Sequence, residues 1–150
     1  MHTKTFKTLC SFIGTMTVIA ALLTGCGGDS APTAVAKDID AIALMEKLMS
    51  DDSKERFDAL IELGEGRENA APAIDMILEV LTDDKDAKNR EMAAYVLMQM
   101  GPKAAKPALP TLKEALEKEK NGNVQINIIN AWNAIDPDSA PNGGGRGNQP

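Results

Sequence analysis

From Asp38 onward apolar residues return every three or four positions, and the strict alternation of a half-buried strand is absent. Ile74, Ile77, Leu78 and Leu81 fall on one stripe of a helix, and Ala73, Met76 and Val80 widen it until only Asp75 and Glu79 stay polar. Leu109, Leu112 and Leu116 make a narrower stripe, with Lys113, Glu114, Glu117 and Lys118 turned to water. The first of these helices is therefore expected at the centre of the fold and the second nearer its edge. Before each stands a longer first helix, over 52–64 and 88–102, and a third such helix follows over 124–137.

The blocks repeat. Gly64 and Gly101 lie 37 residues apart, Pro72 and Pro107 lie 35 apart, and Pro102 and Pro137 again 35 apart, so the period is about 35 with slippage in the turns. Ser50-Asp51-Asp52 and Thr82-Asp83-Asp84 stand ahead of the first helices, where short polar and acidic side chains suit helix N-termini. Gly64 and Gly101 are expected to end first helices, and Pro72 and Pro107 to open second ones. A single helix pair cannot bury its own apolar stripe, so neighbours must stack to complete the core. The reading is an all-α chain: a short α-solenoid of antiparallel helix pairs, about six helices, over residues 38–137.

This plan resembles the HEAT repeat, in the short bacterial variety grouped with phycobilisome lyase repeats. The likeness is closest at Arg90, Ala93, Ala94, Leu97, Gly101, Pro102, Pro107, Leu109, Leu112 and Leu116. It departs where Phe57 replaces a small residue, where residues 65–69 lengthen a turn, and where Gln125 and Asp136 stand in place of the Arg and Gly. The resemblance implies a HEAT-like superhelix whose surface binds another protein, and it offers a ligand-handling, lyase-like alternative.

Ahead of the repeats, residues 1–25 carry Lys4 and Lys7, then a largely apolar run, then a small-residue site, which is the plan of a secretory signal. The apolar run has about 15 residues, short of the ~20 needed to cross a bilayer. Leu23-Thr24-Gly25-Cys26 resembles the bacterial lipobox. That resemblance implies cleavage before Cys26 and acylation of Cys26, palmitate among the chains, and several chains anchor far more firmly than one. With Gly27 rather than Asp following, delivery to the outer membrane, facing the periplasm, is favoured in a cell with two membranes. Residues 26–37 read as the lipidated N-terminus and a flexible tether reaching roughly 20 Å. Residues 138–150, poor in apolar side chains, read as a disordered tail.

Charge and composition narrow the chemistry. The net charge of the chain is −6, and because Lys4 and Lys7 belong to the leader, the mature part carries 14 basic against 22 acidic residues. No nucleic acid is expected as a partner, since phosphate backbones demand a basic footprint. His2 and Cys10 also leave with the leader, and Cys26 is taken by lipid, so no histidine and no free thiol remain. No catalytic residue, metal site or cofactor is expected. Asp51, Asp52, Asp83, Asp84 and Asp86 lack the spacing of a calcium loop and are read as helix caps and partners of Arg56 and Arg90.

Few side chains then remain as candidates for recognition. Of six mature methionines, Met45, Met49 and Met100 fall on core stripes. Met92 and Tyr95 sit off the Ala93, Val96, Leu97, Met100 stripe and are candidates for an exposed contact. Asn127, Asn130 and Asn133 form an uncharged row that reads as the wet face of a terminal helix or as a docking surface. The expected function is a membrane-tethered module that binds an unknown protein partner; a structural spacer in an envelope assembly is a further alternative.

Overall fold

A computed structural model describes residues 35–141. Within them lie six α-helices and no strand: α1 (Ala41–Leu48), α2 (Ser53–Gly66), α3 (Ile74–Asp83), α4 (Ala87–Ala105), α5 (Leu109–Lys118) and α6 (Gly122–Ile135). Residues 1–34, on which the secretory signal and the Leu23–Cys26 lipidation motif are expected, and residues 142–150 lie outside the described residues. All six helices belong to one compact unit, an all-α solenoid of stacked pairs. α2, α4 and α6 pack side by side as one layer, and α1, α3 and α5 follow one another in the second. Among the described residues no helix is long and apolar enough to cross a membrane.

The core runs between the layers and follows the repeat. Leu63, Leu97 and Trp132 occupy equivalent positions of the three first helices, and Ala59, Ala93 and Ile128 do the same one turn earlier. Removing a leucine of this size from water contributes about 1.5–3 kcal/mol, and alanine at the neighbouring turn lets adjacent helices approach closely. α4 is the most embedded helix, packed against α2, α3 and α6. α3 buries Ile77, Val80 and Leu81 and lies between α1 and α5, whereas α5 buries Leu112 and Ala115 and packs against α6 and α3.

Three loops share one construction. Asp52, Asp86 and Asn121 cap α2, α4 and α6, accepting from the N–H groups of Lys54 (2.8 Å), Lys88 (3.0 Å) and Asn123 (2.9 Å). Each cap's own N–H is held two residues back, by Ser50 Oγ, Asp84 Oδ1 and Glu119 Oε1. The carbonyls of those same residues accept from Arg56 Nη1 (2.8 Å), Arg90 Nη1 (2.7 Å) and Gln125 Nε2 (2.7 Å). The expected equivalence of Ser50-Asp51-Asp52 with Thr82-Asp83-Asp84 is therefore displaced by two residues, and Asp86 rather than Asp84 is the cap.

The turns at the other helix ends depart from expectation. α2 continues through the buried Gly64, where the place of a β-carbon is 3.6 Å from Val96, and stops at Gly66. A β-carbon at Gly66 would run into the side chain of Ile39, which would have to shift to admit any other residue. The reversal is made by Arg67, at φ 50° and ψ −124°, and its equivalent 34 residues on is Gly101, whose non-helical φ 79° and ψ 169° break α4 with a kink four residues before its end. The 37-residue spacing of the two glycines arose because they are not equivalent positions. Pro72 and Pro107 sit in short 3-10 segments (Arg67–Ala73 and Lys106–Ala108) that lead into α3 and α5.

The folded unit also reaches past both expected boundaries. Lys37 N–H donates to Glu65 O (3.0 Å) while its carbonyl accepts from Asn69 (3.0 Å), so this residue is fixed to the end of α2. Beyond Pro137, Ser139 Oγ accepts from the Trp132 indole N–H (2.9 Å) and Ala140 is buried. A buried indole N–H needs a partner in place of water, and the chain supplies it.

Candidate functional site

The capping loops carry the strongest electrostatics of the molecule. Arg56 grips Asp84 through Nε (2.7 Å) and Nη2 (3.0 Å), and Arg90 grips Glu119 in the same way (2.7 and 3.1 Å). Arg90 thus takes a glutamate, not one of the aspartates expected for it. Hydrogen bonding to Arg90, opposed by burial and aided by the N–H groups of Asn121 and Lys120, holds the Glu119 carboxyl down at about 2. At Asp84 burial opposes ionisation, but Arg56, the Asp86 N–H and Asn89 outweigh it and its pKa is lowered. Asn89, itself buried, donates to Ser53 and Asp84 across the repeat boundary. These charges are consumed in holding the repeats together. Among the described residues no cluster of three or more His, Cys, Asp or Glu is placed to hold a metal ion.

The residues singled out for recognition lie on the outer face of the α2–α4–α6 layer. Tyr95, 42% exposed, is the equivalent in α4 of Ile61 in α2, 40% exposed, and of exposed Asn130 in α6. Met92 and Asn127 are likewise equivalent, one turn earlier, and both are half-buried. Two groups of residues chosen on different grounds thus occupy one row running across the repeats. Met92 and Tyr95 line a groove of about 510 Å³ with Ile61, Val35, Arg67 and Gln99. On α6 two of the three amides are partly spent: Asn133 donates to Ile129 O (2.9 Å), and Asn127 to Asn123 O (3.1 Å) and Glu91 (3.3 Å). α6 has no charged residue along its length, and Ile126 on it is 58% exposed.

One expectation about the methionines fails. Met100 is buried and Met45 packs against the core, but Met49 is 77% exposed. α1 stops at Leu48, so the stripe that would have carried Met49 inward ends one residue too soon. Met49 instead lines a second groove, with Met76 of α3. Periodicity within one helix could not find that pairing, since it joins two helices; the surviving sequence signal is the cluster Asp51, Glu79 and Asp83 around it.

No characterised protein and no solved structure matches the chain. The family model for HEAT repeats matches residues 41–133, most of the described helical array and more than half of the sequence. With helix pairs stacked in two layers, and capping loops repeating at intervals of 34 and 35 residues, the chain belongs to the family of HEAT-repeat proteins.

Proposed function

We propose that this HEAT-repeat chain is a lipid-anchored interaction module of the cell envelope, held by acylated Cys26 and binding a protein through the outer face of α2, α4 and α6. The observation that carries the reading is the row Ile61, Tyr95 and Asn130, equivalent positions in three successive helices that leave apolar or uncharged side chains in water. Repeat arrays recognise partners through such extended rows, and depletion of charge is the compositional mark of an interface core. The motif Leu23-Thr24-Gly25-Cys26 after an apolar run supports the anchor, and Gly27 supports an outer-membrane address.

A photo-crosslinking residue placed at Tyr95 and, separately, at Asn130 in intact cells should trap the same protein. The same group at Asp75 or Lys113, on the α3–α5 layer, should not. Identical products from both layers, or none from the first, would reject the proposed face. Cys26→Ser should move the chain from the membrane to the soluble fraction and block incorporation of a labelled fatty acid. An acylated Ser variant, or a wild type that takes up no label, rejects the anchor.

A further inference from the structure

The groove between α1 and α3 differs from the rest of the surface in its floor and in its charge. Met49 and Met76, 27 residues apart in sequence, both line it, together with Leu48 and Val80. Asp51, Glu79 and Asp83 stand along its rim. Arg56 and Asp84 also reach it but neutralise each other in their bidentate pair, which leaves Lys85 as the one cation set against three acids. The volume, about 430 Å³, suits one large apolar side chain with its flanking backbone.

The repeat supplies an internal control. Thirty-five residues on, an equivalent groove exists between α3 and α5, with Glu114 in place of Glu79 and Ala115 in place of Val80. Lys118 stands at the position equivalent to Asp83, Asp83 itself lines both grooves, and no methionine lines the second. The same architecture is therefore close to neutral and shallowly apolar in one repeat, but acidic and methionine-floored in the other. Repeat geometry makes the groove; Met49 and Met76, with no counterpart of Lys118, give the first copy its own character.

We infer that the groove between α1 and α3 is a second docking site, one that receives a basic segment of a partner protein. An apolar side chain of that segment seats between Met49 and Met76, and lysines or arginines on either side face Asp51, Glu79 and Asp83. Methionine supplies a soft, re-packable apolar floor and carboxylates supply orientation and attraction, the combination that recognises basic amphipathic segments. The site lies on the layer opposite the Tyr95 face, and it stands or falls independently of the partner proposed for that face.

The test uses the full-length protein in neutral detergent and a labelled peptide carrying one leucine between two pairs of lysines, followed by fluorescence anisotropy. The lysine peptide should bind, and its affinity should fall as salt is raised. A peptide with glutamate for lysine, or serine for leucine, should bind at least about tenfold more weakly. Glu79→Gln with Asp83→Asn should weaken the lysine peptide by roughly tenfold, and Met49→Ser by severalfold, since both act on surface side chains that the fold does not need. Tyr95→Ala should leave peptide binding unchanged, while remaining the variant that disturbs the outer-face partner. Failure of the wild type to bind the lysine peptide, equal binding of the glutamate peptide, or full affinity in the Glu79→Gln, Asp83→Asn variant would each overturn the assignment.

Discussion

The two ends of the helix layers solve the same problem, reversing the chain from one helix to the next, by different means. At one end the loops around Asp52, Asp86 and Asn121 are held by side chains: a cap, an acceptor two residues before it, and an Arg or Gln reaching back to that acceptor's carbonyl. At the other end the chain turns at Arg67 and at Gly101, and what repeats is a positive φ rather than a residue type. Side-chain networks preserve a legible motif because the bonding atoms must be present. A backbone angle can be met by glycine freely, or by arginine at a cost of about 1–3 kcal/mol when the surrounding structure enforces it.

If that contrast is right, the heaviest damage should come from the network end. Arg90→Ala strands Glu119, whose side chain is 8% exposed, and should destabilise the fold by about 3–5 kcal/mol in urea unfolding. Gln125→Ala, which removes one neutral hydrogen bond to Glu119 O, should cost about 1 kcal/mol. Near-equal losses for the two would mean that the bidentate ion pair adds nothing beyond the shared carbonyl contact.

The same end should confer acid sensitivity. Glu119 is held at about 2 in the folded chain against an ordinary 4.5, so its contribution is complete above the unfolded value and disappears as pH falls through the folded one. Asp84, also lowered, acts in the same direction. Urea midpoints should therefore stay level down to about pH 5 and drop steeply toward about pH 2, by an amount on the order of 3 kcal/mol from Glu119 alone. Arg90→Ala should flatten that drop; an unchanged slope would separate Glu119 from it.

Smaller effects belong to the turn end. Gly101→Ala meets no neighbouring atom within 4 Å, so its cost, about 2 kcal/mol, is that of the backbone angle alone. Arg67→Gly should do the opposite, relieving strain that is partly offset by glycine's freedom in the unfolded chain, for a net gain of about 1 kcal/mol or less. A destabilised Arg67→Gly variant would show that the arginine side chain, not the angle, holds this turn.

Much of this architecture can be read along the chain. The three-and-four spacing of apolar residues, the period near 35 and the composition point to stacked helix pairs, because helix burial imposes its own periodicity on the sequence. The outer-face residues Met92, Tyr95, Asn127, Asn130 and Asn133 are legible on the same ground, as positions off the buried stripe. Turn equivalence is not. Gly64 looks like the partner of Gly101, yet it lies inside α2 and Arg67 makes the turn, because φ is set by where the next helix must pack and not by the residue that accepts it most cheaply.

What sequence alone determined is therefore what depends on neighbours in the chain: the helices, their amphipathic faces, the repeat and the family. The tertiary structure decided what depends on neighbours in space. It alone paired Arg90 with Glu119 across 29 residues, turned Met49 outward, and set it in one groove with Met76, Asp51, Glu79 and Asp83. Helix periodicity is written every three or four residues, whereas a groove between helices is assembled from residues whose only relation is that packing placed them side by side.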